Sequence, residues 1–211
     1  MCVPNLSEAF KYTVNPTSYF VFDTVEASSA LLFLLLSGSA VRAQTYDTAN
    51  VRLTFYSYVD NTDNLNGDCN ANCDAGGTAG TLQLAYQCPG RSGLAGGIGD
   101  QSSPITAASA GDGLPVAQCD SFYVPYLQKW FIYEDYCTDC QDDPPHFDLF
   151  AGGSPDNNLC PNTCSCEDQL TPGADTCIYT DIGDGGALTV SGSALFDGSN
   201  CNFAGTSASS C

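Results

Sequence analysis

The sequence predicts an all-β domain. Short runs of β-branched and aromatic residues alternate with clusters of Gly, Pro, Asn, Asp and Ser, and no stretch after Ala43 shows a sustained helical period. The chain also carries thirteen cysteines in 211 residues. A cysteine count this dense behind a secretory signal is typical of small domains whose loops are held by disulfides. We therefore expect one β domain with long, disulfide-pinned loops.

The first part of the chain, residues 1–43, is interpreted as a processed leader. Ala30–Leu36 is an apolar run of the kind found in secretory signals, and it is too short to span a bilayer. Val41-Arg-Ala43 supplies a small-x-small cleavage site. The run lies far from Met1 behind an acidic stretch, which favours an over-extended gene model. Residues 44–211 are then a single domain with a Cys-rich C-terminal extension, and we expect it to be secreted.

Cysteine spacing leaves two interpretations open for the middle of the chain. Removal of Cys2 with the leader leaves an even number of cysteines, as complete disulfide pairing requires. Cys137-x-x-Cys140 together with His146 could instead bind zinc. The spacing does not repeat as two paired zinc knuckles, so we favour disulfides and expect no metal and no cofactor.

The charge of the chain restricts its partners. It holds 24 acidic against 5 basic residues, a net charge of −19. Such a surface repels nucleic-acid backbones and anionic membranes, so neither is an expected partner. Polysaccharides are compatible with it, whether glucan, chitin-type or peptidoglycan-type glycan. The alternative is that the acidity only keeps a secreted monomer in solution.

Individual elements follow from the same patterns. The predicted strands, in chain order, are Val51–Val59, Thr81–Gln87, Ser121–Tyr126, Lys129–Glu134, His146–Ala151, Thr176–Thr180 and Ala187–Val190. Gly90–Ser103 is a glycine-rich loop, and the small apolar stretch Thr106–Ala110 is expected to form one short helical turn. Cys201 and Cys211 are expected to tie down the Ser/Gly-rich tail.

Three acidic residues stand at the ends of, or within, predicted strands. Asp148 lies in His146–Phe150, where alternation places it on the face opposite its apolar neighbours. Apolar surroundings raise the pKa of a carboxyl group, which suits a general acid. Asp135 ends one strand and Asp60 ends another. We predict Asp148, Asp135 and Asp60 as catalytic carboxylates. The alternative is that Asp135 and Asp148 cap loops by accepting backbone N–H groups.

Aromatic residues near these acids are candidates for sugar binding, because Tyr and Trp rings stack on the apolar C–H faces of sugars. We predict Tyr56, Trp130 and Tyr133 as substrate-binding residues, with core packing as the alternative for each. His146, the single histidine of the chain, would hold a substrate hydroxyl or tune Asp148. A strand histidine bonded to a loop carbonyl is the alternative.

Several short motifs resemble one superfamily. Leu53-Thr-Phe-Tyr56 resembles the opening of expansins, and Pro104–Ala108 with Gly113–Val116 resembles the middle of barwin-like barrels. His146-Phe-Asp-Leu149 matches the His-Phe-Asp motif shared by expansins and family-45 endoglucanases. Glu134-Asp135 followed by Asp148 resembles the paired aspartates of the "3D" barrel in MltA-type lytic transglycosylases. The stretch Tyr123–Thr171 is similar to small secreted fungal proteins of this type.

The resemblance, which covers about residues 51–171, implies a six-stranded double-psi β-barrel with an open groove. It implies that Asp148 is the proton donor, that Asp135 is the transglycosylase-type acid, and that Asp60 is a looser candidate for the base. The Tyr-Trp-Asp-Cys-Cys signature of the endoglucanases and the second β-sandwich of expansins are both absent. We expect a glycoside hydrolase or lytic transglycosylase that cleaves β-linked cell-wall polysaccharide. The alternative is a non-catalytic wall-binding or effector protein of the expansin, barwin or kiwellin kind.

Overall fold

The structure, a computed structural model, describes residues 45–58, 82–141, 144–152, 160–183, 188–203 and 207–211. They belong to one compact unit, Arg42–Cys211. Its elements are β1 (Asp47–Tyr56), β2 (Ile105–Ser109), β3 (Ser121–Val124), β4 (Lys129–Tyr136), β5 (His146–Phe150), α1 (Cys160–Leu170) and β6 (Thr176–Thr180). The regular secondary structure of the described residues is thus mostly strand with little helix, and the all-β prediction is confirmed.

The six strands close into a barrel in the order β1-β5-β2-β4-β3-β6, with β6 returning to β1. β1 pairs with β5, and β2 with β4, in parallel, while the other four pairs are antiparallel. Exchanging β1 with β4, β2 with β5 and β3 with β6 reproduces every pairing and its direction. The barrel therefore has an internal two-fold symmetry of topology, in which each strand pairs only with strands from the other half.

Alternation along the strands separates an interior face from an outer face. In β1, Val51, Leu53 and Phe55 are buried in the core, whereas Arg52 between them is exposed. The other strands supply the remaining interior side chains: Ile105, Ala107, Phe122, Val124, Phe131, Tyr133, Phe147, Leu149 and Ile178. Side chains fill the interior, as is usual for barrels of this size, so any site must lie on the outer face or at an end.

β2 corrects one prediction, since Thr106–Ala110 does not form a helical turn. All five residues of Ile105–Ser109 are buried, and the strand pairs with β4 on one side and β5 on the other. Small residues fit between two neighbouring strands, and this burial overrides their weak local preference. The predicted strand Thr81–Gln87 is also wrong for its described part, where only an isolated bridge joins Gln83 to Leu94. Residues 188–190 form no strand either.

The helix α1 was not indicated by the sequence. Its buried side chains include Cys166, which is bonded to Cys201, and Leu170, which packs in the core. Short helices in water depend on such tertiary packing rather than on their own propensity. Neither the long-range bridge nor the docking site is visible in the local sequence.

Four disulfides join described residues: Cys88–Cys119, Cys137–Cys140, Cys166–Cys201 and Cys177–Cys211. They confirm that Cys201 and Cys211 tie down the C-terminal segment, and they assign Cys137 and Cys140 to a bridge rather than to zinc. Several disulfides indicate an oxidising compartment and hence an extracellular or secreted protein. Across the described ranges, no helix combines the length and the apolar character that a membrane span needs.

The disulfides differ in how much chain they close, and this generates a prediction. Cys88 and Cys119 are separated by 31 residues, Cys137 and Cys140 by 3. If bridges act by restricting the unfolded chain, replacing the first pair by Ala should lower the free energy of unfolding by about 4 kcal/mol, and the second pair by about 2 kcal/mol. Urea unfolding of the two double variants measures the difference. Equal losses would contradict the loop-entropy account.

Candidate functional site

Two of the predicted acids lie in one row across the outer face of the barrel. Asp148 on β5 and Asp135 on β4 are both Cα partners of Ala108, from opposite sides of β2. Thr54 on β1 extends the row as the partner of Asp148. Side chains that oppose each other in a sheet share a face, and Asp148 alternates with the fully buried Phe147 and Leu149. The row therefore faces outward, and only a methyl group on β2 separates the two acids.

A β-bulge in β4 places Asp135 in this row. The register passes from Tyr133 opposite Ala107 to Asp135 opposite Ala108, so Glu134 is the extra residue. Bulges redirect side chains in this way, often beside functional sites. If the same residues ran as a regular ladder without the bulge, Glu134 would stand opposite Ala108, and Asp135 would turn toward the interior.

Glu134 is itself held by a buried ion pair. Its side chain is 0% exposed, and Arg91 donates from Nε to Oε2 at 2.8 Å and from Nη2 to Oε1 at 2.5 Å. Thr106 donates a further hydrogen bond to Oε1 at 2.8 Å. A bidentate Arg–carboxylate pair fixes geometry as well as charge. It ties the loop that carries Arg91 to the bulge, directly beside Asp135.

That loop also contacts Asp135. The backbone N–H of Ala85 donates to Oδ1 at 2.9 Å, as does that of Tyr136 at the same distance, and the hydroxyl of Tyr56 donates to Oδ2 at 3.3 Å. All three partners are donors, so the contacts suit an ionised carboxylate. Two of them are backbone groups, as the loop-capping alternative predicts. Asp135 is partly exposed and has a fixed orientation.

Asp148 is connected to the histidine through Thr54. The Thr54 hydroxyl donates to Asp148 Oδ1 at 2.7 Å, and the same oxygen lies 2.9 Å from His146 Nε2. A hydroxyl has one proton to give, so His146 must donate through Nε2 when Thr54 donates to Asp148. His146 is buried, with 6% of its surface exposed. It stands two positions before Asp148 on the same face of β5 and contacts it through the Thr54 hydroxyl.

The charges of both acids act on the phenol of Tyr56. Burial raises the pKa of its phenol well above the usual value of 10.0, and the negative charges of Asp135 and Asp148 raise it further. The phenol therefore stays protonated and keeps donating to Asp135. Its ring packs against Phe150, with centroids 5.6 Å apart. The methyl group of Ala108 leaves room for the phenol to reach across β2.

The remaining predicted residues lie elsewhere. Tyr133 is 7% exposed within the core, where its hydroxyl donates to the Ser109 carbonyl. Trp130 is 4% exposed and packs edge-on against Tyr123. The structure places neither ring in the outward row. Asp60 lies outside the described residues. Within the described ranges, no group of three or more His, Cys, Asp or Glu side chains is arranged to hold a metal ion.

Sequence reasoning missed three contributors to the site: Thr54, Arg91 and the bulge at Glu134. Thr54 could have been found, because it stands two residues before Tyr56 in a predicted strand and so shares its face. The partners of Arg91 and the register at Glu134 depend on tertiary pairing, which leaves no local signal.

Comparison with known proteins assigns the chain to a family. The model of the DDB_G0273701 N-terminal domain matches residues 48–202. The chain belongs to the DDB_G0273701 N-terminal domain family. It is 30% identical over 145 residues to the uncharacterized Dictyostelium discoideum protein DDB_G0273701/DDB_G0273221, covering 66% of this chain and 54% of that protein. The chain thus spans about half the length of that relative. No solved structure matches it.

The ion pair at the bulge generates a stability prediction. Arg91→Met would leave the carboxylate of Glu134 buried without its counter-charge, and we expect the free energy of unfolding to fall by about 3–5 kcal/mol. The double variant Arg91→Met/Glu134→Gln should recover about 2 kcal/mol of that loss, since the uncompensated charge is gone. Urea denaturation gives both values. A double variant no more stable than Arg91→Met would argue against a buried pair.

Tyr56 generates a pH prediction. A phenol whose pKa is raised in the folded state contributes stability that is fully present below its unfolded pKa of about 10 and is lost as the pH rises toward the folded value. Tyr56→Phe should therefore reduce the loss of unfolding free energy in that alkaline range. The phenolate absorbance difference between wild type and variant should show one late-ionising group, which returns to about pH 10 in urea. A step near pH 10 in the difference between the folded wild type and the folded variant would contradict the assignment.

Proposed function

We propose that this protein is a secreted, carbohydrate-active double-psi β-barrel that cleaves a β-linked cell-wall polysaccharide at the Asp148–Asp135 row. The observation that carries the proposal is the pairing of both acids with Ala108 on one outward face of the barrel. Both carboxylates are partly exposed, so each can be reached from solvent. Two carboxyl groups held on a rigid frame are the usual apparatus of glycoside cleavage.

The double-psi assignment draws support from the strand topology. Two parallel pairs, β1 with β5 and β2 with β4, are related by the internal symmetry of the closed barrel. The His146-Phe-Asp148 motif resembles that of expansins and family-45 endoglucanases, and here it forms β5 beside a strand that carries Leu53-Thr-Phe-Tyr56. The two motifs of the resemblance are thus neighbours in the sheet.

The surroundings of the two acids suggest separate roles. Asp148, supported by Thr54 and His146, would protonate the glycosidic oxygen. Asp135, which accepts hydrogen bonds from three donors, would remain a carboxylate that activates water or stabilises the oxocarbenium-like transition state. Tyr56 would help to orient the two acids and the sugar relative to one another. Its protonated hydroxyl extends from the side of Asp148 and donates a hydrogen bond to Asp135.

The spacing of the row favours an inverting mechanism. The acids are two strands apart, which corresponds to about 10 Å between their Cα atoms. Carboxyl groups about 6.5–9.5 Å apart leave room for a water on the opposite side of the sugar, whereas about 5–5.5 Å suits a covalent intermediate. A direct hydrolysis with inversion is therefore the expected stereochemical outcome, and water would enter on the side of Asp135.

Charge narrows the substrate class. A net charge of −19 disfavours anionic glycans, because both partners would carry the same sign. Neutral β-glucan and chitin-type chains fit this surface, and peptidoglycan-type glycan remains within the class. Because the acid row lies on the outer face of the barrel, it suits a long polysaccharide chain that lies across the surface better than a short sugar that must be enclosed in a pocket.

One observation favours the non-catalytic alternative, a wall-binding protein of the expansin, barwin or kiwellin kind. Both oxygens of Asp135 already accept hydrogen bonds from protein groups, including the phenol of Tyr56. To activate water, Asp135 must share or release one of these contacts. A protein that only binds and loosens polysaccharide needs no such change.

A product assay separates the two proposals. Purified protein would be incubated with cellulose, β-glucan, chitin and peptidoglycan, and new reducing ends would be measured. We expect Asp148→Asn and Asp135→Asn each to lower turnover by at least about 100-fold, the usual contribution of an acid or base. Asp168→Asn, an exposed acid on α1, serves as the matched control and should match wild type.

Two results would decide against cleavage at this row. Full activity in Asp148→Asn would remove that residue from the mechanism. Polysaccharide binding by the wild type without any new reducing ends would establish the wall-binding alternative instead.

A further inference from the structure

A cleft lies on the outer face of β1 and β6, away from the acid row. It has a volume of about 460 Å³, and its lining includes Tyr46, Thr48, Tyr179, Ser207, Ser209 and Ser210. Thr48 and Thr54 lie on the same strand six positions apart, which corresponds to about 20 Å. The cleft is therefore separate from the Asp148–Asp135 row, and its volume falls in the range of small-ligand sites.

Stacked tyrosines form one side of the cleft. Tyr46 and Tyr179 lie with ring centroids 4.1 Å apart and planes 13° from parallel, and Tyr179 in turn packs on Tyr123 at 6.0 Å. Tyr123 is 3% exposed, whereas Tyr46 at the end of the series is 36% exposed. The half-buried Tyr179 and the buried Tyr123 fix the orientation of the exposed ring. A flat, preoriented aromatic face costs little entropy to use in binding.

The C-terminal segment forms the other side. The Cys177–Cys211 disulfide holds it against β6, the N–H of Cys177 donates to the Ser209 carbonyl at 2.8 Å, and the N–H of Cys211 donates to Asn50 Oδ1 at 2.8 Å. Ser207, Ser209 and Ser210 bring hydroxyl groups to the cleft. The wall is thus fixed in place before any ligand arrives.

The chemistry of the lining is uncharged throughout its side chains. Among the described residues that line the cleft, none is an acid, a lysine, an arginine or a histidine, although the chain carries a net charge of −19. Burial raises the pKa of the Tyr179 phenol, so that ring stays neutral as well. Hydroxyl groups both donate and accept hydrogen bonds, and tyrosine faces accept apolar C–H surfaces. Neutral sugars offer both hydroxyl groups and apolar C–H surfaces.

We propose that this cleft binds a short stretch of a neutral glycan, with Tyr46 as its stacking platform. The site goes beyond the proposed cleavage and does not depend on it, because a chain that cuts nothing could still bind here. Where cleavage does occur, the cleft would hold a distant part of the same polymer and raise its local concentration at the acids.

The test measures binding of soluble β-glucan and cello-oligosaccharide to the full chain by calorimetry, in an Asp148→Asn background so that cleavage does not consume the probe. Tyr46→Ala should weaken binding by roughly 3- to 10-fold, as the loss of one aromatic stack implies. Tyr46→Phe keeps the ring and should bind within about twofold of the parent. Phe203→Ala removes a similarly exposed aromatic elsewhere and serves as the matched control.

A second variant guards against misfolding. Ser209→Arg would fill the cleft from an exposed position without touching the core, and it should reduce binding while leaving the thermal midpoint near that of the parent. Unchanged affinity in both Tyr46→Ala and Ser209→Arg would overturn the proposal. So would tighter binding of a proline-rich peptide than of either glycan. Turnover of polysaccharide by the wild type is measured in a separate assay. A failure of the cleavage proposal therefore does not change the interpretation of the binding result.

Discussion

The structure depends on one constraint, that every strand of the barrel finds its hydrogen-bonded neighbours in the other half of the chain. β1, β2 and β3 pair only with β4, β5 and β6. Neither half can satisfy its backbone groups alone, and unpaired buried N–H and C=O groups are costly. Formation of the sheet is therefore a long-range event, which is slow but cooperative. The acid row inherits this property, because Thr54 and Ala108 come from one half and Asp135 and Asp148 from the other.

The electrostatics of the site follow from its place on the outer face of an acidic protein. Three carboxylates lie near Tyr56, and each is stabilised differently: Glu134 by Arg91, Asp135 by backbone N–H groups, and Asp148 by Thr54. Basic residues are scarce in this chain, so the use of Arg91 at the most deeply buried of the three is physically sensible. An unpaired charge there would be the most expensive. The two partly exposed acids can rely on neutral donors and on water.

Alternation along single strands was readable from the sequence, and pairing between strands was not. The pattern of His146–Phe150 correctly placed Asp148 opposite the buried apolar residues, and β6 was predicted with its observed bounds. β2 was not predicted because its small residues have little strand preference of their own. They form a strand because β4 and β5 pair with them on both sides. The predicted substrate-binding aromatic residues lie on different faces of the sheet for a similar reason. Alternation along a strand separates two faces but does not tell which face is buried. Tyr56 faces outward, whereas Tyr133 faces the core.

The bulge at Glu134 makes the number of residues in β4 important for function, because it decides which side chain stands opposite Ala108. Deleting Asp135 would let β4 continue as an unbroken ladder with Glu134 opposite Ala108, so Glu134 would take the outward position and Arg91 would lose its partner. A chain altered in this way would present a longer acid to its ligand, and it would be less stable because the ion pair with Arg91 is lost. Insertions and deletions in this strand should therefore be more damaging to activity than most substitutions in it, in contrast to the surface loops, where changes of length are usually tolerated.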